Sequence, residues 1–236
     1  MSEAQSPEYE EQYAQYRQQS KQDFDQYFTE FERVVQQGSL EEITQYKELF
    51  QQLAQGYTEA AGSDPNTEKQ QAWRTAAENA QYAAETLGSI ADMDTSGFAD
   101  SLRNAQGSMQ NAAGDQDGED EEKKASMRDH RQRASETSNK LDQMSSQASD
   151  VKRMPRRDVE QMRGDMQDMH QNTQSTSSEH RNADEQAGQH YDTALEHMST
   201  ASQWGDSVGG CFDQSDSVVE AMRAAAEALG QVSATQ

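Results

Sequence analysis

From Val159 to Val208, small and apolar side chains return at alternating steps of three and four: Val159, Met162, Met166, Met169, Thr173, Thr176, His180, Ala183, Ala187, His190, Ala194, His197, Ala201, Trp204 and Val208. Only a helix, whose turns bring residues three and four apart onto one face, gathers that spacing into a single surface. The pattern predicts a coiled-coil-like seam about fifty residues long, roughly 70 Å if unbroken. Its middle is thin, because Thr173, Thr176 and His180 in QNTQSTSSEH supply little apolar area. Gly205, Gly209 and Gly210 are expected to end the run. Ser215 then caps a short last helix carrying Val218, Val219, Met222, Ala226 and Leu229.

The first half carries helix punctuation of its own. Ser6 and Pro7 open a helix with the stripe Tyr9, Tyr13, Tyr16, Phe24, Tyr27, Phe31 and Val34, and Gly38 stops it. Ser39 to Glu42 reads as a capping box before Ile43, Tyr46, Phe50, Leu53 and Tyr57, so the two helices form an antiparallel hairpin. Ser63-Asp64-Pro65 opens a third helix, with Trp73, Ala76, Ala80, Ala83 and Leu87, closed by Gly88. A fourth bears Phe98, Leu102, Ala105, Met109 and Ala112 before Gly114. The expected class is all-α, an N-terminal helical bundle followed by long coiled-coil-like helices. The boundaries are 1–113 for a four-helix, aromatic-containing bundle, 114–124 for an acidic linker, 125–210 for a long helical hairpin or coiled coil, and 211–236 for a short C-terminal helix.

Composition narrows the function classes. Only 32% of the 236 residues are hydrophobic, and mean hydropathy is −1.16, too little for the thick core and deep pocket of a compact enzyme. The net charge of −23 opposes unaided binding to nucleic acid or to an anionic membrane. Arg outnumbers Lys 13 to 7, and an acidic, lysine-poor surface fits either adaptation to high salt, as in a halophile, or an ordinary acidic protein. The charge is uneven: −12 over 1–113, −6 over 114–122, +5 over 123–163 and −10 over 164–236. The basic island 123–163 is the one stretch suited to nucleic acid, yet it lacks interleaved aromatic residues. Its sign complements the acidic N-terminal helices.

The acidic opening MSEAQSPEYEEQY is no signal peptide, and no run reaches the ~18 apolar residues of a membrane span. A cytoplasmic or virion-associated location is expected. The lone Cys211, in GGCFD, has no cysteine partner in the chain and reads as an inert, partly buried thiol.

Two motifs invite metal chemistry. DMDTSGFADSLR resembles the EF-hand calcium loop at Asp92, Asp94, Ser96, Gly97 and Asp100, so Asp92, Asp94, Ser96 and Asp100 are the calcium candidates. Position 12 of that loop, normally a bidentate Glu, is Arg103. Ordinary helix capping by Asp94, Thr95 or Ser96, with Asp100 near the positive end of the helix dipole, explains the same letters with fewer demands. The residues three before the five histidines are Met127, Gln167, Ser177, Ala187 and Ala194, which rules out the Glu-x-x-His spacing of a di-metal bundle. His190 and His197 share one helical face, two turns apart.

These features predict a non-enzymatic structural or assembly protein with no cofactor, a homo-oligomer or a subunit packing into a virion, scaffold or filament. Its contacts are expected at Tyr13, Phe24, Phe28, Phe31, Met162, Met166 and Met169, which intramolecular packing claims equally well. Lys152, Arg153, Arg156 and Arg157 are the expected polar contacts. The alternative is a calcium- or partner-responsive helical adaptor.

Overall fold

Side-chain chemistry sets the helix ends in the computed structural model, which describes residues 7–114 and 120–234. The Ser6 cap, the opening MSEAQS and linker residues 115–119 lie outside the described residues. The helices are α1 (Pro7–Gln37), α2 (Leu40–Thr44), α3 (Tyr46–Ser63), α4 (Thr67–Ala91), α5 (Ser96–Ala113), α6 (Glu121–Ala148), α7 (Arg156–Ala183) and α8 (Glu185–Ser233). A 3-10 turn, Val151–Arg153, joins α6 to α7. No strand occurs among the described residues, so the fold is all-α.

The Ser39 capping box is present in both directions: Glu42 N donates to Ser39 Oγ at 3.3 Å, and Ser39 N donates to Glu42 Oε2 at 2.8 Å. Asn66, Asp120 and Asp184 each accept a backbone N–H with the side chain at the starts of α4, α6 and α8. Asp184 therefore breaks the long seam expected over 159–208, and α7 ends at Ala183. Glycine at 88 does not close its helix, since α4 continues to Ala91.

The described residues divide into two compact units. The first takes the described residues of 7–93 and 211–234. Buried Ala54, Ala60 and Ala61 on α3, and Ala72, Ala76, Ala80 and Ala83 on α4, hold no long side chain between the axes, so these two backbones approach closely along their length. Around them an aromatic core runs from Phe31 against Phe50, with ring centroids 4.9 Å apart, to Tyr57 against Trp73 at 5.4 Å. The end of α8 completes this core with Phe212, Val218, Met222 and Leu229, and Arg223 Nη2 donates to Glu32 Oε1 at 2.7 Å. The expected short last helix is thus the final part of a 49-residue helix. Ser215 is not its cap: it is fully buried inside α8, and its hydroxyl donates to Cys211 O at 2.9 Å.

The buried face of α1 differs by one position from the expected stripe over part of its length. Arg17, Phe24, Phe31 and Val35 are buried, while Tyr16 and Tyr27 are 45% and 42% exposed. Arg17 takes the inward place because Asp64, at the corner after α3, supplies a buried carboxylate for it.

The second unit takes the described residues of 94–114 and 120–210. There α5 lies close along α6, where the small residues Ala105, Ala112, Ala134 and Ser138 are buried. The glycines expected to stop the seam lie inside α8, and two of them admit close neighbours. A Cβ on Gly205 would sit 3.0 Å from Met166 Cε, and one on Gly209 would run into the Arg163 guanidinium. Past Asp184 the buried set is Ala187, Tyr191, Ala194, Met198, Ala201 and Val208. Tyr191 and Met198 replace His190 and His197 as core positions, because the new helix start lets the chain choose its phase again.

Candidate functional site

Close packing of α5 on α6 contrasts with the looser pairing of α6 and α7, whose facing positions carry Met, Gln and charged residues instead of Ala. Between them a furrow of about 800 Å³ opens in the second unit. Its floor holds buried Met144, Met162, Met169, Thr173 and Tyr191. Methionine suits such a floor, since an unbranched, polarisable chain fills an irregular space without fixing its shape.

The rims differ in charge. On α6 stand Arg133, Glu136 and Lys140, and on α7 stand Asp158, Asp165 and Asp168, all exposed. Helical spacing puts each set on one side, so the furrow is basic-leaning along one edge and acidic along the other. Arg133 also pairs with Glu179 at 3.6 Å.

At the Tyr191 wall the furrow meets a histidine pair. His180 on α7 is fully buried, its ring stacked on Tyr191 at 3.9 Å and 19°, and its Nδ1 lies 2.7 Å from Nδ1 of half-buried His130 on α6. Burial, reinforced by the proximity of His130 and Arg133, pushes the His180 ring down to about 4. His180 Nε2 and the Tyr191 hydroxyl are buried without a hydrogen-bond partner. The Tyr191 hydroxyl is pushed upward by burial. No sequence signal marked this pair, because the two histidines are fifty residues apart and meet only through the helix pairing.

The expected contact residues are taken up inside the chain. Phe24, Phe31, Met162, Met166 and Met169 are buried, Phe28 stacks on Phe24 at 5.8 Å, and Tyr13 donates its hydroxyl to Ala60 O at 3.0 Å. All seven make contacts inside the chain, and Met162 and Met169 also line the furrow. In the basic island, Arg153 pairs with Asp150 at 3.7 Å and Arg156 with Glu160 at 3.1 Å. Lys152 is half-buried and Arg157 exposed. Further along, Lys123 meets Asp184 at 2.5 Å and Arg163 meets Asp206 at 2.7 Å, so acids after residue 164 pair with the island.

Asp92, Asp94 and Asp100 among the calcium candidates are each engaged locally. Asp92 is the C-cap of α4, Asp94 Oδ1 accepts Ser96 N at 2.9 Å, and Asp100 pairs with Arg103 at 2.5 Å on α5. Backbone and side-chain hydrogen bonds from Ser96 hold the Asp94 carboxyl below its usual range. The loop glycine serves packing: a Cβ on Gly97 would lie 2.6 Å from the Trp204 ring. Among the described residues, no group of three or more His, Cys, Asp or Glu is placed to hold a metal ion. The Cys211 thiol lies 3.1 Å from Met93 Sδ.

The chain is therefore an all-α protein of two helical units with a methionine-floored furrow in the second. No helix among the described residues is long and apolar enough to cross a membrane. No protein-family model matches the chain, and comparison with curated proteins and with solved structures finds no match.

Proposed function

We propose that this is a non-enzymatic assembly protein that associates with copies of itself, as a homo-oligomeric scaffold or as a subunit of a larger structure such as a virion or filament. The observation that supports the reading is the furrow with its unlike rims. A two-fold contact presents the same patch from both copies, and with the axis running along the furrow the α6 edge of one faces the α7 edge of the other. Lys140 and Arg133 then meet Asp165 and Asp168 twice over, and the methionine floors adapt to each other. The polar groups of the furrow are spread along several turns of two helices instead of converging on one reacting atom, which fits association better than catalysis.

Absolute mass by light scattering after size exclusion, at about 0.1 M and about 2 M KCl, tests the reading across the range in which exposed charges become screened. A discrete multiple of 26.4 kDa is expected for the wild type. Lys140→Glu shifts it toward the monomer, and adding Asp165→Lys restores it. A wild type that stays monomeric at both salts over a wide range of concentration overturns the proposal.

A further inference from the structure

Three helices of the second unit meet at a cluster that association leaves unused. His130 on α6 and His180 on α7 face each other through Nδ1 at 2.7 Å, and Tyr191 on α8 covers His180 by stacking. Two neutral imidazoles hold this contact with a single proton between the facing nitrogens, one ring donating and the other accepting. A further proton goes to the bare Nε2 of the donating ring and puts an imidazolium in a buried site; where that ring is His180, the new N–H has no acceptor, and only a second such proton would set two N–H groups against each other.

Three carboxylates around the pair are already engaged, while Asp129 stands beside His130 on α6 and Glu185 at the start of α8. Glu179 on α7 pairs with Arg133 on α6, Asp184 before α8 with Lys123 on α6, and Asp192 on α8 with Arg181 on α7. Arg133 adds repulsion to any charge on His180. A metal ion is a poorer occupant, since His180 Nε2 is buried without the acceptor that normally orients a ligating imidazole. The neighbouring turns of α7, with Thr173, Thr176 and Ser177 in place of large apolar residues, give this end of the helix little to hold it once the pair separates.

We infer that the His130–His180 pair is a proton-operated latch, whose protonation parts the last turns of α7 from α6 and frees the Tyr191 wall of the furrow. The inference goes beyond the assembly reading and does not depend on it.

Amide hydrogen exchange on the full chain, corrected for the intrinsic effect of pH, tests it at pH 7.5 and 5.5. A closed state that holds His180 near 4 and an open state with an ordinary imidazole near 6.5 make opening about tenfold more frequent at the lower pH. The protection given by neutral His180 is whole above about 6.5 and is lost as the pH falls toward the folded value. Residues 170–191 of the wild type are therefore expected to exchange about tenfold faster at pH 5.5. His180→Phe keeps a ring on Tyr191 and carries no proton, so it shows no acceleration. Should that variant fail to fold by circular dichroism, His130→Gln at its half-buried position is expected to show less acceleration than the wild type. Equal protection of the wild type at the two pH values, or undiminished acceleration in the variant that folds, overturns the latch.

Discussion

Asp64 gathers more donors than any other carboxylate described above. Arg17 donates through Nε at 2.8 Å and through Nη2, Trp73 Nε1 donates at 2.9 Å, and the Asn66 backbone N–H donates at 2.8 Å. Burial pushes this carboxyl up, yet the bonds from Arg17, Asn66 and Trp73 outweigh it and hold Asp64 below the usual range. Arg17→Met strands that charge and is expected to cost about 3–5 kcal/mol at pH 7 in urea unfolding. Because the folded carboxyl is depressed, its contribution is present above the ordinary Asp range near 3.8 and is lost as the pH falls below it. The penalty of Arg17→Met should accordingly shrink in acid, and a constant penalty would mean that Asp64 is not its source. Tyr57 makes the opposite case: its hydroxyl is buried and unpartnered. Tyr57→Phe removes a desolvated group without breaking a bond, so denaturant unfolding should show no loss and a gain of up to about 1 kcal/mol. Neither role is legible in the chain, since Arg17 lies among polar residues and nothing near Tyr57 signals an unanswered hydroxyl.

At the scale of the helix, glycines sort into two kinds that look alike in sequence. Gly164 in α7 has open space where a Cβ would go, so Gly164→Ala is expected to stabilise by about 0.5–1 kcal/mol through helix propensity. Gly97 in α5 has the Trp204 ring in that space at 2.6–2.9 Å. There Gly97→Ala should destabilise by about 1–3 kcal/mol despite the better propensity of alanine. Thermal melts of the two variants against wild type separate propensity from packing, and shifts of the same sign would refute the Trp204 contact. The same distinction explains α8. Gly205, Gly209 and Gly210 read as stop signals, but a helix passes through glycine at about 1 kcal/mol each; close neighbours reward the small residue at Gly205 and Gly209, while Gly210 has open space where a Cβ would go.

Across the whole molecule, a net charge of −23 on 236 residues gives net self-repulsion at every ionic strength below full screening. The melting temperature is therefore expected to rise between about 0.1 M and about 2 M KCl. A flat response would show that the ion pairs binding the basic island to acids such as Asp184 and Asp206 already offset the repulsion.

The amino-acid pattern alone determined that the chain is helical, and it placed the Ser39 capping box and the end of α5 at Gly114, because periodicity and capping act over three or four residues. It also marked the methionines that floor the furrow, though not the furrow. Tertiary structure alone decided which way each helix faces. A one-residue turn of α1 exchanges Tyr16 for Arg17, and the restart at Asp184 exchanges His190 and His197 for Tyr191 and Met198. Such choices rest on partners far along the chain, as Asp64 is for Arg17 and His130 for His180. A helix of mostly small and polar residues presents several faces of nearly equal apolarity, and only the side chains it meets select one.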